Sequence, residues 1–272
     1  NYGLFSASAA ASRLMGLSPE ATRHALSIAG VSGLAMRQTR VGELSMWKGC
    51  AFANASRHAV FASWLAKHGM TGPSDIFEGK MGFMKQVSGE FTLGALGGEQ
   101  GHPFMINETY IKYFPVEYHA QSAVWAALAL RDQLNGDLSQ VEAVEIDTFE
   151  ASYSIIGSEP EKWAPKSRET ADHSLPYIVG VTLVDGHVDL DSFEESRYTD
   201  PELLQFVSRI TVRHDPALDA DYPAGIPNRI TLRLRDGRVL TEQNTFPRGH
   251  ARNPMSDEEV EAKFRRLTEW AL

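Results

Sequence analysis

The hydrophobic pattern of this chain changes character near residue 106, and that change limits what it can fold into more than any single motif does. Upstream, apolar residues recur every three or four positions, and Leu4, Ala7, Ala11, Leu14 and Met15 fall on one helical face. Ser18, Pro19 and Glu20 make a helix start: an N-cap hydroxyl, a proline at the first helical position and an acid at the favourable end of the dipole. The helix they open is expected to run through residues 21–31 and to stop near Gly30 or Gly33. A second helix is predicted over residues 48–68, rich in alanine around Phe52, Val60, Phe61, Trp64 and Leu65 and ended by Gly69. So many small residues suit close helix–helix approach. Residues 74–78 read as a short helix. Residues 79–101 read as an irregular, glycine-rich connection that still has Phe83, Phe91 and Leu93 to pack. Because the chain opens with Asn1 already inside an apolar helix, it is expected to be a fragment of a longer protein.

Downstream the pattern mixes periods. Residues 107–114 read as a strand leading to Pro115, and residues 119–134 as an amphipathic helix. The stretch from Val141 to Thr148 alternates as a half-buried strand does. Residues 175–183 form an apolar helix, 200–207 a short helix and 210–214 a strand. Residues 229–235 form another strand, turned by Asp236-Gly237 into a partner over 239–244. The tail, from Asp257, places Val260, Phe264, Leu267 and Trp270 on one helical face. The fold class expected is α+β: a mainly helical domain over 1–105, continued by 248–272, with an inserted α+β lid domain over 106–247.

Composition removes several function classes. No apolar run reaches the roughly 18 residues of a membrane span. With 26 basic against 35 acidic residues the net charge is −9, which argues against a general nucleic-acid or membrane-surface binder. Cys50 is the single cysteine, so neither an internal disulfide nor an iron–sulfur cluster on about four thiolates can form. No signal peptide is visible, and a cytoplasmic setting is expected. Dinucleotide, P-loop, zinc-protease and nucleophile-elbow motifs are missing, so no cofactor is implied.

Four clusters could carry chemistry. Lys48, in Trp47-Lys48-Gly49-Cys50, enters a very apolar helix, where it either holds a carboxylate or lies in water. Lys112 and His119 bracket a strand-to-helix corner, Lys112-Tyr113-Phe114-Pro115-Val116-Glu117-Tyr118-His119. There the imidazole serves as acid, base or carboxylate donor, or merely caps the helix. In Asp172-His173-Ser174-Leu175-Pro176-Tyr177 a polar turn leads into the apolar helix. Asp172 or Ser174 is a candidate N-cap, and Tyr177 is either core or pocket. Finally, Pro247-Arg248-Gly249-His250-Ala251-Arg252 is either an anion site or a hinge held by salt bridges.

These segments resemble the MmgE/PrpD family over essentially the whole chain. The likeness is sharpest in residues 17–30, in Lys48 with Ala55-Ser56-Arg57, in Phe114-Pro115-Val116-Glu117-Tyr118-His119-Ala120-Gln121, in residues 171–177 and in residues 247–252. The Phe-Pro-x-Glu-aromatic-His and Asp-His-Ser-x-x-Tyr segments look most like the family's 2-methylcitrate dehydratase branch. The resemblance implies a helical domain with an α+β lid, homodimers and small tricarboxylate-like substrates. It assigns substrate carboxylates to Lys48 and Lys112, pocket and catalytic roles to His173 and Tyr177, and an acid/base role to His119. The activity it implies is cofactor-independent dehydration of a hydroxy-tricarboxylate, a carbon–oxygen lyase reaction. Decarboxylation or epimerisation, which share proton transfer next to a carboxylate, are the rivals within the family. A third reading makes the chain a non-catalytic piece that needs a complementary chain.

Overall fold

The computed structural model describes residues 1–94, 98, 101 and 103–269, which divide into two compact units. The first unit comprises residues 1–40 and 46–103, and the second residues 41–45 and the chain from Phe104 onward.

In the first unit α1 (Tyr2–Leu14), α2 (Pro19–Ser32) and α3 (Ala51–Lys67) pack pairwise. Ser18 caps α2 as expected, its hydroxyl accepting the Ala21 N–H at 3.2 Å. The shared core is made of Leu4, Ala29, Ala59 and Ala62, so the helices approach through small side chains. Ser12 and Ser63, both buried, meet hydroxyl to hydroxyl at 3.1 Å between α1 and α3. A 3₁₀ turn, Met46–Cys50, precedes α3, so the helix begins three residues later than its pattern suggests. The short helix expected over 74–78 does not form. Asp75 takes φ +52°, a left-handed conformation that breaks the helical run. A π turn, Met84–Ser88, lies inside the glycine-rich segment, and Phe83 and Phe91 pack edge to face with ring centroids 6.5 Å apart.

The second unit is an α+β layer. Its helices are α4 (Gln121–Gln133), the short α5 (Glu150–Ser152) and α6 (Arg168–Ala171), α7 (Leu175–Asp185), the short α8 (Glu195–Tyr198), α9 (Pro201–Val207) and α10 (Asp257–Thr268). Strands β1 (Val141–Thr148), β2 (Ile210–His214), β3 (Asn228–Leu234) and β4 (Val239–Asn244) form one sheet in the order β2-β1-β3-β4. β3 pairs antiparallel with β1 and β4, but β1 and β2 are parallel, with Val144 opposite Ile210. A parallel pair needs a long crossover, and here it carries α5 to α9. The sequence reading of antiparallel strands alone therefore missed one pairing.

One sheet face is buried through Val144, Ile146, Val212, Ile230 and Leu232, with α4 and α7 packed against the sheet. The other face carries a lattice of charges: Arg213 reaches Glu145 at 2.8 Å and Asp147 at 3.1 Å, and Arg233 reaches Glu145 at 2.5 Å. Residues 107–114 are not the strand expected. They hold a 3₁₀ turn, Met105–Glu108, followed by an irregular path to Pro115. By its contacts the C-terminal helix groups with this second unit. Glu259 of α10 pairs with Arg248 at 2.5 Å, and Arg266 with Asp189 at 3.2 Å. Trp270 lies outside the described residues. Among the described residues no helix is long and apolar enough to cross a membrane.

Candidate active site

The corner before α4 is held from within. The buried Gln121 side chain takes the Phe114 N–H on its carbonyl at 3.2 Å and returns its amide to the Phe114 carbonyl at 2.8 Å. The Lys112 ammonium donates to the Val116 carbonyl at 2.9 Å, which leaves two of its three N–H groups for other partners. Asn228, at the start of β3, donates at 2.8 Å to both the His119 carbonyl and the Ser122 hydroxyl. The backbone on both sides of the His119 ring is therefore fixed.

Glu117 and His119 are paired. One Glu117 oxygen accepts the His119 backbone N–H at 2.7 Å, capping the turn that opens α4, and the other lies 3.1 Å from His119 Nδ1. That second approach is within ion-pair reach, although the ring nitrogen is not aligned for a hydrogen bond. Burial acts to raise the Glu117 carboxyl. The side chain and backbone N–H of His119, with a contribution from His173, outweigh it and hold the acid below its ordinary range. The His119 ring packs against Phe149, at 5.4 Å, and Tyr222, at 5.9 Å, which stack on each other at 4.9 Å.

A second pair stands beside the first. Asp172 Oδ1 contacts His173 Nδ1, and the Asp172 carbonyl accepts the Glu117 N–H at 2.9 Å. Two carboxylate–histidine pairs are thus joined by one main-chain hydrogen bond. Asp172 is not the cap of α7. Ser174 is, its hydroxyl accepting the Tyr177 N–H at 3.1 Å.

Tyr177 is a core residue: it is fully buried, its hydroxyl donates to the Ser192 carbonyl at 2.7 Å, and burial pushes that hydroxyl up out of the titrating range. Lys48 belongs to the first unit, half-buried in the turn before α3, whereas Lys112, His119 and His173 belong to the second. Arg248 is fully engaged, with Glu259 and with Asn253 Oδ1 at 3.1 Å, so the salt-bridged reading of that segment holds. His250 is buried, its Nδ1 accepts the Arg252 N–H at 3.0 Å, and desolvation lowers its imidazole below the usual value. The locking role of Gln121 had no signal beyond its place in the motif, and Asn228 had none.

Chemically, a carboxylate against the Nδ1 side of each ring favours the tautomer with the proton there, which makes Nε2 the basic nitrogen. Among the described residues no group of three or more His, Cys, Asp or Glu side chains is gathered as a metal would require.

Comparison with known proteins agrees with this layout. The MmgE/PrpD N-terminal domain description matches residues 1–95 and the MmgE/PrpD C-terminal domain description matches residues 114–272. The chain is 31% identical to a 2-methylcitrate dehydratase of Cupriavidus necator over 268 residues, which cover 90% of this chain and 52% of that protein. It is 31% identical to the 2-methylcitrate dehydratase of Escherichia coli strain K12 over 257 residues, again 90% of this chain and 52% of that protein. A human cis-aconitate decarboxylase is 24% identical over 266 residues, covering 97% of this chain and 54% of its own length. The chain therefore spans about half the length of the curated relatives it matches. Two domain descriptions of one family, laid in order along the two structural units, lead to one conclusion: this chain belongs to the MmgE/PrpD family.

Proposed function

We propose that the chain carries acid/base machinery of a lyase that dehydrates 2-methylcitrate or a related hydroxy-tricarboxylate without a cofactor. The observation that supports this most is the pair of carboxylate–histidine units, Glu117 with His119 and Asp172 with His173, joined through the Glu117 N–H. Dehydration requires a base to take the proton next to a carboxylate and an acid to protonate the departing hydroxyl. As the C–H bond breaks, its electron pair is drawn into the neighbouring carboxylate. That pair then forms the new C=C bond as the C–O bond breaks, and the hydroxyl leaves as water with a proton from the second group. His119 and His173 are assigned these two roles, each steadied by its carboxylate. Lys112, with two donors left over, is assigned a substrate carboxylate, whose charge grows as the proton departs. Lys48 is assigned a substrate carboxylate from the family resemblance. The dehydratase names of relatives at about 31% identity support the reaction class, and the substrate is read from the same relatives.

The test is ultraviolet absorbance of the newly conjugated acid with 2-methylcitrate, citrate and cis-aconitate, run with chelator and with Lys112→Ala. A rise on 2-methylcitrate that survives chelation and is lost in the variant supports the proposal. Carbon dioxide release without dehydration would move the assignment to decarboxylation. Exchange between epimers alone would move it to epimerisation, and silence of the whole chain on all three acids would overturn it.

A further inference from the structure

The segment Val41–Ser45 lies between α2 and α3 in the chain, yet it is part of the second unit. It is held there by side chains in the way a strand is held by a ladder, at alternate residues. The Gly42 N–H donates to Glu159 Oε1 at 3.2 Å. The Leu44 N–H donates to Thr170 Oγ1 at 3.2 Å, and the Ser167 hydroxyl donates to the Leu44 carbonyl at 3.0 Å. The two hydroxyls lie 2.9 Å apart. Each has one proton, so with Ser167 donating to Leu44, the Thr170 proton is left for Ser167. Leu44 and Thr170 are buried, so these hydroxyls satisfy main-chain groups that water does not reach. Glu159 is itself anchored, 3.5 Å from the ammonium of Lys162, a fully buried lysine.

The same residues lead into the acid/base pairs. Ser167 caps α6 by accepting the Thr170 N–H at 3.2 Å, and α6 runs directly into Asp172 and His173. Asp172 passes the connection to Glu117 through its carbonyl. A path of hydrogen bonds thus runs from the 41–45 strap through residues 159–173 to the Glu117–His119 pair. In sequence, Lys48 follows Leu44 by four residues.

We propose that Ser167 and Thr170 are positioning residues: by gripping Leu44 at both its N–H and its carbonyl they fix α6, and with it the orientation of His173 toward Glu117. The proposal rests on the acid/base reading given above. Thr170→Val keeps the side-chain shape and removes the hydroxyl, and Thr170→Ser restores it. Two readouts are taken on the full chain: the titration of the His173 imidazole by NMR, assigned with His173→Gln, and kcat and KM on the dehydrated substrate. Asp172 Oδ1 contacts the His173 ring, and the charge of His173 is felt at Glu117. The expected result is a moved His173 titration and a kcat lower by about 10- to 100-fold with KM within about twofold, as for a misplaced catalytic group. Thr170→Ser should restore both. Where Thr170→Val does not fold, Ser167→Ala, which removes the donor to the Leu44 carbonyl, gives the same two readouts. A variant that melts lower but keeps the wild-type His173 titration and kcat would overturn the proposal, since the hydroxyl pair would then be purely structural. If the wild type dehydrates nothing, the acid/base reading fails on its own, and the His173 titration still decides whether Thr170 acts on that ring.

Discussion

The two units bury apolar surface in different ways. The second encloses a continuous core of large side chains, including Leu130, Ile146, Ile178 and Leu183, with no exposure. The first closes on Leu4 and a few alanines, with Phe83 buried among the rings of Phe5, Phe77 and Phe91, while Phe61 and Trp64 on α3 stay half-exposed or more, at 57% and 50%. Small residues permit close helix approach, but each buries little area, and buried apolar area is what stabilises. The carboxylate–histidine pairs sit in the unit with the larger buried core. Precision of geometry is what proton transfer requires.

The sharpest test is Gly249→Val. Gly249 holds φ +94°, and a Cβ there would lie 1.8 Å from the Ile111 carbonyl oxygen, so the second unit should lose more than about 4 kcal/mol or fail to fold. Denaturant unfolding of the purified variant measures it. Next comes a matched pair. Ile146→Ala in the β1 core should cost about 2–5 kcal/mol, and Trp64→Ala on the open side of α3 should fall within about 0.5 kcal/mol. Equal costs would break the comparison.

Within the first unit, Ser18→Ala removes the α2 cap and should cost about 1 kcal/mol, read as a shift in urea midpoint. The smallest effect is on pH dependence. Burial holds the His250 imidazole below its ordinary 6.5, against an opposing contact with the Ala224 backbone. Between the folded and unfolded values the unfolded chain binds the proton and the folded one does not. The resulting stability is therefore complete above about pH 6.5 and is lost as the pH falls through the folded value. His250→Gln should flatten that part of the stability profile, and an unchanged slope would remove His250 as its source.

What the sequence made legible follows from local rules. The caps at Ser18 and Ser174, the alternation in β1, β3 and β4, and the apolar run of α7 are all set within a few residues. The corner from Lys112 to His119 was readable because its residue types cluster. The rest depends on partners far along the chain. The parallel pairing of Val144 with Ile210 spans a crossover that no local period reports. Leu44 is held by hydroxyls more than 100 residues away, and its segment carries no pattern of its own. Tyr177 sits on a helix apolar all round, so its face could not be told until Ser192 was seen to take its hydroxyl. The pattern of the tail shows an apolar face without showing that Arg248 and Asp189 would hold its charged one.

On the proposed reading, His119 and His173 move protons at a carbon next to a carboxylate. The most direct measurement is NMR of a hydroxy-tricarboxylate in deuterium oxide, following loss of the carbon-bound hydrogen beside the carboxylate, with the wild-type chain, His119→Gln and His173→Gln. The account predicts exchange or elimination with the wild type, slowed by about 10²- to 10⁴-fold in each variant while both remain folded. Loss of that hydrogen at the wild-type rate in the folded variants would contradict it.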